Sequence, residues 1–79
     1  MNIPQMKVRT KMSKGILTKR EKEVFALLIT NLTTREIANK LNISEKTVRN
    51  HISNVMQKLG VKGRSQAVIE LLKLNELSL

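Results

Sequence analysis

The feature that most constrains this chain is a repeated helix-start signal, Thr18-Lys19-Arg20-Glu21 and then Thr33-Thr34-Arg35-Glu36. In each, the first threonine can accept a hydrogen bond from the third helical amide while the glutamate reaches back to the threonine's own N–H. Leu17, just ahead of the first box, is placed to staple against the first turn. Apolar residues then recur at helical spacing: Val24, Phe25, Leu28 and Ile29 after the first box, Ile37, Ala38 and Leu41 after the second. The first helix is expected over about Lys19 to Thr30, and the second ends near Leu41. Ser44 offers a further N-cap, so Asn42 and Ile43 fall in a turn of about three or four residues. The next helix stops at Gly60, a residue suited to the left-handed exit position. A last one, about Arg64 to Leu74, follows the Lys62-Gly63 turn, and Asn75 is the residue best able to end it. No segment alternates like a strand, so the expected fold is all-α with four helices.

Composition narrows the function. With no Cys there is neither a disulfide framework nor a thiolate zinc finger, and the single His and absent Asp leave poor material for a metal cage or a carboxylate dyad. No metal and no cofactor are expected, and no nucleophile–base pair marks an enzyme. The longest apolar run, Val24 to Ile29, is far too short to cross a bilayer, and the first residues lack the apolar core of a signal peptide, so a cytosolic, non-membrane protein is expected. The 79 residues fit one small domain with no room for a separate sensor. Its charge is lopsided: 15 Lys+Arg against 6 Asp+Glu, a formal net charge of +9. Lys7, Arg9, Lys11 and Lys14 make residues 1–15 a flexible basic arm, and residues 16–79 stay basic without them.

A short helix, a tight turn and a longer helix form a helix-turn-helix arrangement. Ala38 is small enough to let the two helices approach, and Ile43 plugs the turn between them. An ordinary helical hairpin would show the same spacing, and charge separates the two readings. At about 100° per residue, Val48, Ile52, Val55, Met56 and Leu59 share one stripe. Lys46, Arg49, Asn50, Ser53 and Gln57 lie opposite, flanked by Thr47, His51, Asn54 and Lys58. No acid follows Glu45 on that face, whereas a merely solvated face would mix Glu with Lys. Arg, Asn, Ser and Thr are the donors that read base edges. We therefore assign Arg49, Asn50 and Ser53 to base contact, with Lys46 and Thr47 shared between base and phosphate. Thr33, Thr34, Arg35, Ser44, His51, Asn54 and Lys58 are the expected phosphate-side positions. Thr33 and Ser44 are helix caps first, and Glu45 needs no role beyond favouring the helix dipole.

Leu17-Thr18-Lys19-Arg20-Glu21-x-Glu23-Val24, Thr34-x-Glu36-Ile37-Ala38-x-x-Leu41-x-Ile43-Ser44, Lys46-Thr47-Val48-x-x-His51 and Lys58-Leu59-Gly60-Val61 with Arg64-x-x-Ala67 together resemble the LuxR-type DNA-binding domain over about Ile16 to Leu74. Gly63 and Asn75 depart from the family's commoner Asn and Gly. The resemblance implies a transcription factor and, within the family, the stand-alone members of spore-forming bacteria. These act late in the mother cell on spore-coat genes, activating some promoters and repressing others. It also implies a homodimer through the fourth helix, with Ala67, Glu70, Leu71, Leu74 and Leu77 near the two-fold axis. The expected partner is a promoter duplex with inverted half-sites. RNA polymerase is a candidate further partner, on the first helix or the loop after it. Two other readings compete: a fragment like region four of a sigma factor, and a basic adaptor that meets an acidic protein.

Overall fold

The structure, a computed structural model, describes residues 16–78. The basic arm expected over residues 1–15 lies outside the described residues, as does residue 79. Four helices and no strand are found among the described residues: α1 (Lys19–Leu28), α2 (Thr34–Leu41), α3 (Glu45–Leu59) and α4 (Arg64–Lys73). Both expected capping boxes close. Thr18 Oγ1 accepts the Glu21 amide at 3.1 Å, and Glu21 Oε1 accepts the Thr18 amide at 2.9 Å. Thr33 and Glu36 repeat the exchange at 3.1 and 2.8 Å. Ser44 Oγ accepts the Thr47 amide at 3.0 Å and starts α3.

Every helix exit passes through a left-handed residue. Asn31 has φ 71°, Asn42 60°, Gly60 69° and Asn75 60°. After α2, α3 and α4 the next amide reaches back to a carbonyl of the last turn, Ile43 to Ala38 at 3.0 Å, Val61 to Met56 at 3.1 Å and Glu76 to Leu71 at 2.9 Å. This satisfies acceptors that a helix end otherwise leaves to water. The sequence pointed to Gly60 and Asn75 but not to Asn31 or Asn42. Helix α1 also ends at Leu28, two residues before the expected Thr30. There the Thr30 hydroxyl donates to the Leu27 carbonyl at 2.6 Å, and the Thr30 and Asn31 amides bond carbonyls three residues back. That tightening leaves no α-helical register for Thr30.

Helix α3 packs against each of the other three. Its Val48, Ile52 and Val55 meet Val24 and Phe25 of α1, Ile37 and Ala38 of α2, and Ala67 and Leu71 of α4 in one core. Leu17 joins that core at the foot of α1, and Ile43 is half-buried beneath the turn between α2 and α3. A charged contact lies at its edge. Glu21 is only 3% exposed, and its Oε1 accepts a hydrogen bond from Lys58 Nζ at 2.6 Å. The same ammonium donates to the Ile16 carbonyl at 3.1 Å. The pair thus joins the lead-in segment, the start of α1 and the last turn of α3.

Burial pushes the Glu21 carboxyl up. The hydrogen bonds from Lys58 and the Thr18 amide, with the charges of Lys58 and His51, outweigh that and hold it below its ordinary 4.5. A carboxyl lowered on folding contributes stability that is complete above its unfolded value and is lost as pH falls through the folded one. Glu21→Gln should therefore cost about 1.5–3 kcal/mol near neutral pH, the range for hydrogen bonds to charged groups. The gap to the parent should close in urea melts as pH falls below the ordinary carboxylate range. A gap that persists unchanged in acid would show that the carboxylate contributes nothing as an ion. Separately, Asn42→Ala should cost about 1 kcal/mol, since alanine lacks the short polar side chain that eases asparagine into the left-handed region, read as a shift in urea midpoint.

Candidate nucleic-acid interface

Because Val48, Ile52 and Val55 are fixed inward, the helical period turns Lys46, Arg49, Asn50, Ser53, Asn54 and Gln57 out to solvent. The structure brings these expected contacts together on one face, with Thr47 half-buried at its edge. Two of the smaller hydroxyls serve the helix start, Ser44 Oγ and Thr47 Oγ1 lying 2.8 Å apart. Arg35 is exposed on α2, on the same helix as Thr33 and Thr34 at its start.

Glu45 does more than complement the dipole. Its Oε2 accepts a hydrogen bond from the Thr34 hydroxyl at 3.1 Å and lies 3.9 Å from Arg49 Nη1. The carboxylate therefore bridges α2 to α3 and draws one guanidinium nitrogen of the leading base-contact candidate toward it. The hydroxyl of Thr34, an expected phosphate-side position, spends its proton here and has only its lone pairs left. This link could have been suspected from Glu45 and Arg49 standing one turn apart, but nothing local announced Thr34.

Two expected phosphate ligands sit elsewhere. The Lys58 ammonium donates to Glu21 and the Ile16 carbonyl, so two of its three N–H groups serve as a structural tie. His51 is half-buried and close enough for its charge to bear on Glu21. The wheel explains both: they stand about 60–80° from Val48, nearer the buried stripe than the middle of the outward face. Along the other flank of α3, Arg49 and Ser53 face the turn that carries Lys62 and Arg64, cations that sequence reasoning had left without a role.

The expected dimer residues need the larger correction. Ala67 and Leu71 are fully buried and Leu77 is 9% exposed, all within their own chain. After the left-handed turn at Asn75 the tail folds back, so Leu77 joins the core and Glu76 comes 3.6 Å from Lys22 of α1. Those side chains pack within their own chain and leave little surface for a second copy. Glu70 and Leu74 remain half-buried, and the apolar residue of α4 that faces water is Ile69, at 52%. Among the described residues no group of three His or acidic side chains could hold a metal, and no helix is long and apolar enough to cross a membrane.

Comparison with known proteins gives a consistent picture. Residues 15–71 match the family described as bacterial regulatory proteins, luxR family. The spore germination protein GerE of Bacillus subtilis is 69% identical over 74 residues, covering 94% of this chain and 100% of its own. The transcriptional regulatory protein DegU of Brevibacillus brevis is 52% identical over 58 residues, covering 73% of this chain but only 25% of DegU. A solved structure of the transcription factor GerE superposes with a TM-score of 0.80 at 62% identity, spanning 81% of this chain and 96% of that one.

Neutralising Glu45 removes the acid from a cationic face and frees Arg49. Glu45→Gln should raise affinity for a random-sequence duplex several-fold in low-salt anisotropy titrations, since phosphate attraction is unspecific and salt-screened. Weaker binding by the variant would mean that the carboxylate positions Arg49 productively even on unspecific DNA.

Proposed function

The chain belongs to the luxR family of bacterial regulatory proteins, and on that premise we propose that it reads duplex DNA as a sequence-specific regulator of late sporulation. The observation that carries this reading is the outward face of α3, where arginine, asparagine, serine and lysine donors crowd together opposite a sealed apolar stripe. A helix about 10–12 Å across fits the major groove, which displays a distinct pattern of donors, acceptors and methyl groups for each base pair. Arg49 and Asn50 in the first half of α3, with Ser53 one turn further on just past its middle, take the base edges, with Lys46 and Thr47 between bases and backbone. Arg35, Asn54 and the helix starts capped by Thr33 and Ser44 meet phosphates. The sporulation role draws on the 69% identity to a protein named for spore germination. In this reading the regulator acts in the mother cell, activating some spore-coat promoters and repressing others.

The active form in this reading is a homodimer. Ile69, exposed on α4 beside the half-buried Leu72, supplies an apolar patch that a two-fold copy would cover. Two copies would set their α3 helices about one turn of DNA, roughly 34 Å, apart on inverted half-sites. RNA polymerase would meet the complex on α1 or the loop after it.

Selection of bound duplexes from a random library should return an inverted repeat for the parent protein. Asn50→Ala should lose discrimination at one base pair of each half-site, by about 1–3 kcal/mol. Failure of selection to enrich any sequence would defeat the regulator assignment. Ile69→Glu should yield monomers by ultracentrifugation and lower operator affinity while leaving helicity intact. A variant that stays dimeric would move the interface off α4.

A further inference from the structure

On the flank of α3 away from Lys58 the surface forms a cleft of about 340 Å³. Its walls are Arg49 and Ser53 from α3, and Lys62 with Arg64 from the turn into α4; Ile52 and Met56 supply apolar surface between them. Helix α3, the turn after it and the start of α4 thus bring three positive charges and a hydroxyl to one hollow. Neither Lys62 nor Arg64 is paired with a carboxylate among the described residues, and both are exposed. The nearest counter-charge on the Arg49 side is Glu45, a loose 3.9 Å away. The turn itself is held, since Gln66 Oε1 accepts the Lys62 amide at 3.2 Å, which keeps the two cations on the cleft's edge.

Gathering these charges is unfavourable in the free protein. They repel one another, and Arg64 opens α4, where the helix dipole disfavours a cation. A bound anion reverses the sign of both effects. The cleft is continuous with the base-reading face through Arg49 and Ser53, and its apolar strip suits a sugar ring beside the anion. We propose that this cleft seats a phosphate of the DNA backbone, one strand of the duplex passing between α3 and the start of α4 with Lys62 and Arg64 closing on it. This rests on reading α3 as the DNA-facing helix. It makes the turn before α4 a second point of attachment, so the helix proposed to carry the dimer is itself fastened to the duplex.

The test uses the full chain and a duplex enriched from a random library. The parent and the Lys62→Gln/Arg64→Gln double variant are compared by anisotropy over a range of salt. Each phosphate neutralised contributes about 0.9 to the slope of log affinity against log salt, so the double variant should lose roughly one unit of slope. Its preference for the enriched over a scrambled duplex should stay the same. Replacing single phosphates with neutral methylphosphonates should then find a position that weakens the parent and leaves the double variant indifferent. Lys62→Arg/Arg64→Lys keeps both charges and should keep the slope, which separates charge from any disturbance of folding. An unchanged slope, or equal methylphosphonate sensitivity in parent and variant, overturns the proposal while the DNA-reading function stands. No enrichment and no preference by the parent would instead overturn the reading beneath it. Inorganic pyrophosphate is titrated without DNA as a further arm. Saturable binding that depends on Lys62 and Arg64, with no methylphosphonate effect, would assign the cleft to a free anion and also overturn the proposal.

Discussion

Val48, Ile52 and Val55 are sealed from water, and a helix with one stripe so fixed cannot turn about its own axis. Each remaining side of α3 then has a set neighbour. One flank faces α1, where His51 and Lys58 attend the Glu21 carboxylate. The other faces the turn before α4, where Arg49 and Ser53 border the cationic cleft. What is left between the flanks is the face that points outward. The outward display of arginine and asparagine is therefore a by-product of apolar burial on the opposite side. Small size makes this necessary: a domain of this length buries a modest share of its surface, and the helix at its centre has to serve both the core and the contact face.

Helix starts were legible because a capping box is local, a matter of two side chains three residues apart. Exits were less so. Asn is tolerated in the left-handed region without being confined to it, so Asn31 and Asn42 gave no signal as plain as Gly60. Contacts between distant segments were not legible at all. Lys58 reaches a carboxylate 37 residues away, and nothing near it in sequence sets it apart from a cation meant for phosphate. In α4, Val68, Ile69, Leu71 and Leu72 stand on more than one side, so their spacing alone does not tell which side the core takes. The fold-back after Asn75 settles that by bringing Leu77 inward with Ala67 and Leu71 and leaving Ile69 outside.

The acid at the start of α3 shows how one residue can serve two levels at once. Glu45 favours the helix dipole, accepts the Thr34 hydroxyl across the turn and lies near Arg49. It stiffens the angle between α2 and α3 and tempers the field of the cations beyond it. A face without such a carboxylate would attract any polyanion more strongly, and the separation between chosen and arbitrary sequences would be smaller for it.

The turn between α2 and α3 holds only residues 42–44, and its first member is pinned in a conformation that few residues accept. Adding one residue there would part the left-handed exit of α2 from the cap of α3 and disturb the packing of the plug between them. Nor can one be removed, because Asn42 reverses the chain, Ile43 plugs the elbow and Ser44 caps the helix that follows. Exchanging side chains in place leaves this elbow intact, whereas insertion or deletion there would cost the exit, the plug or the cap that holds the outward display in position.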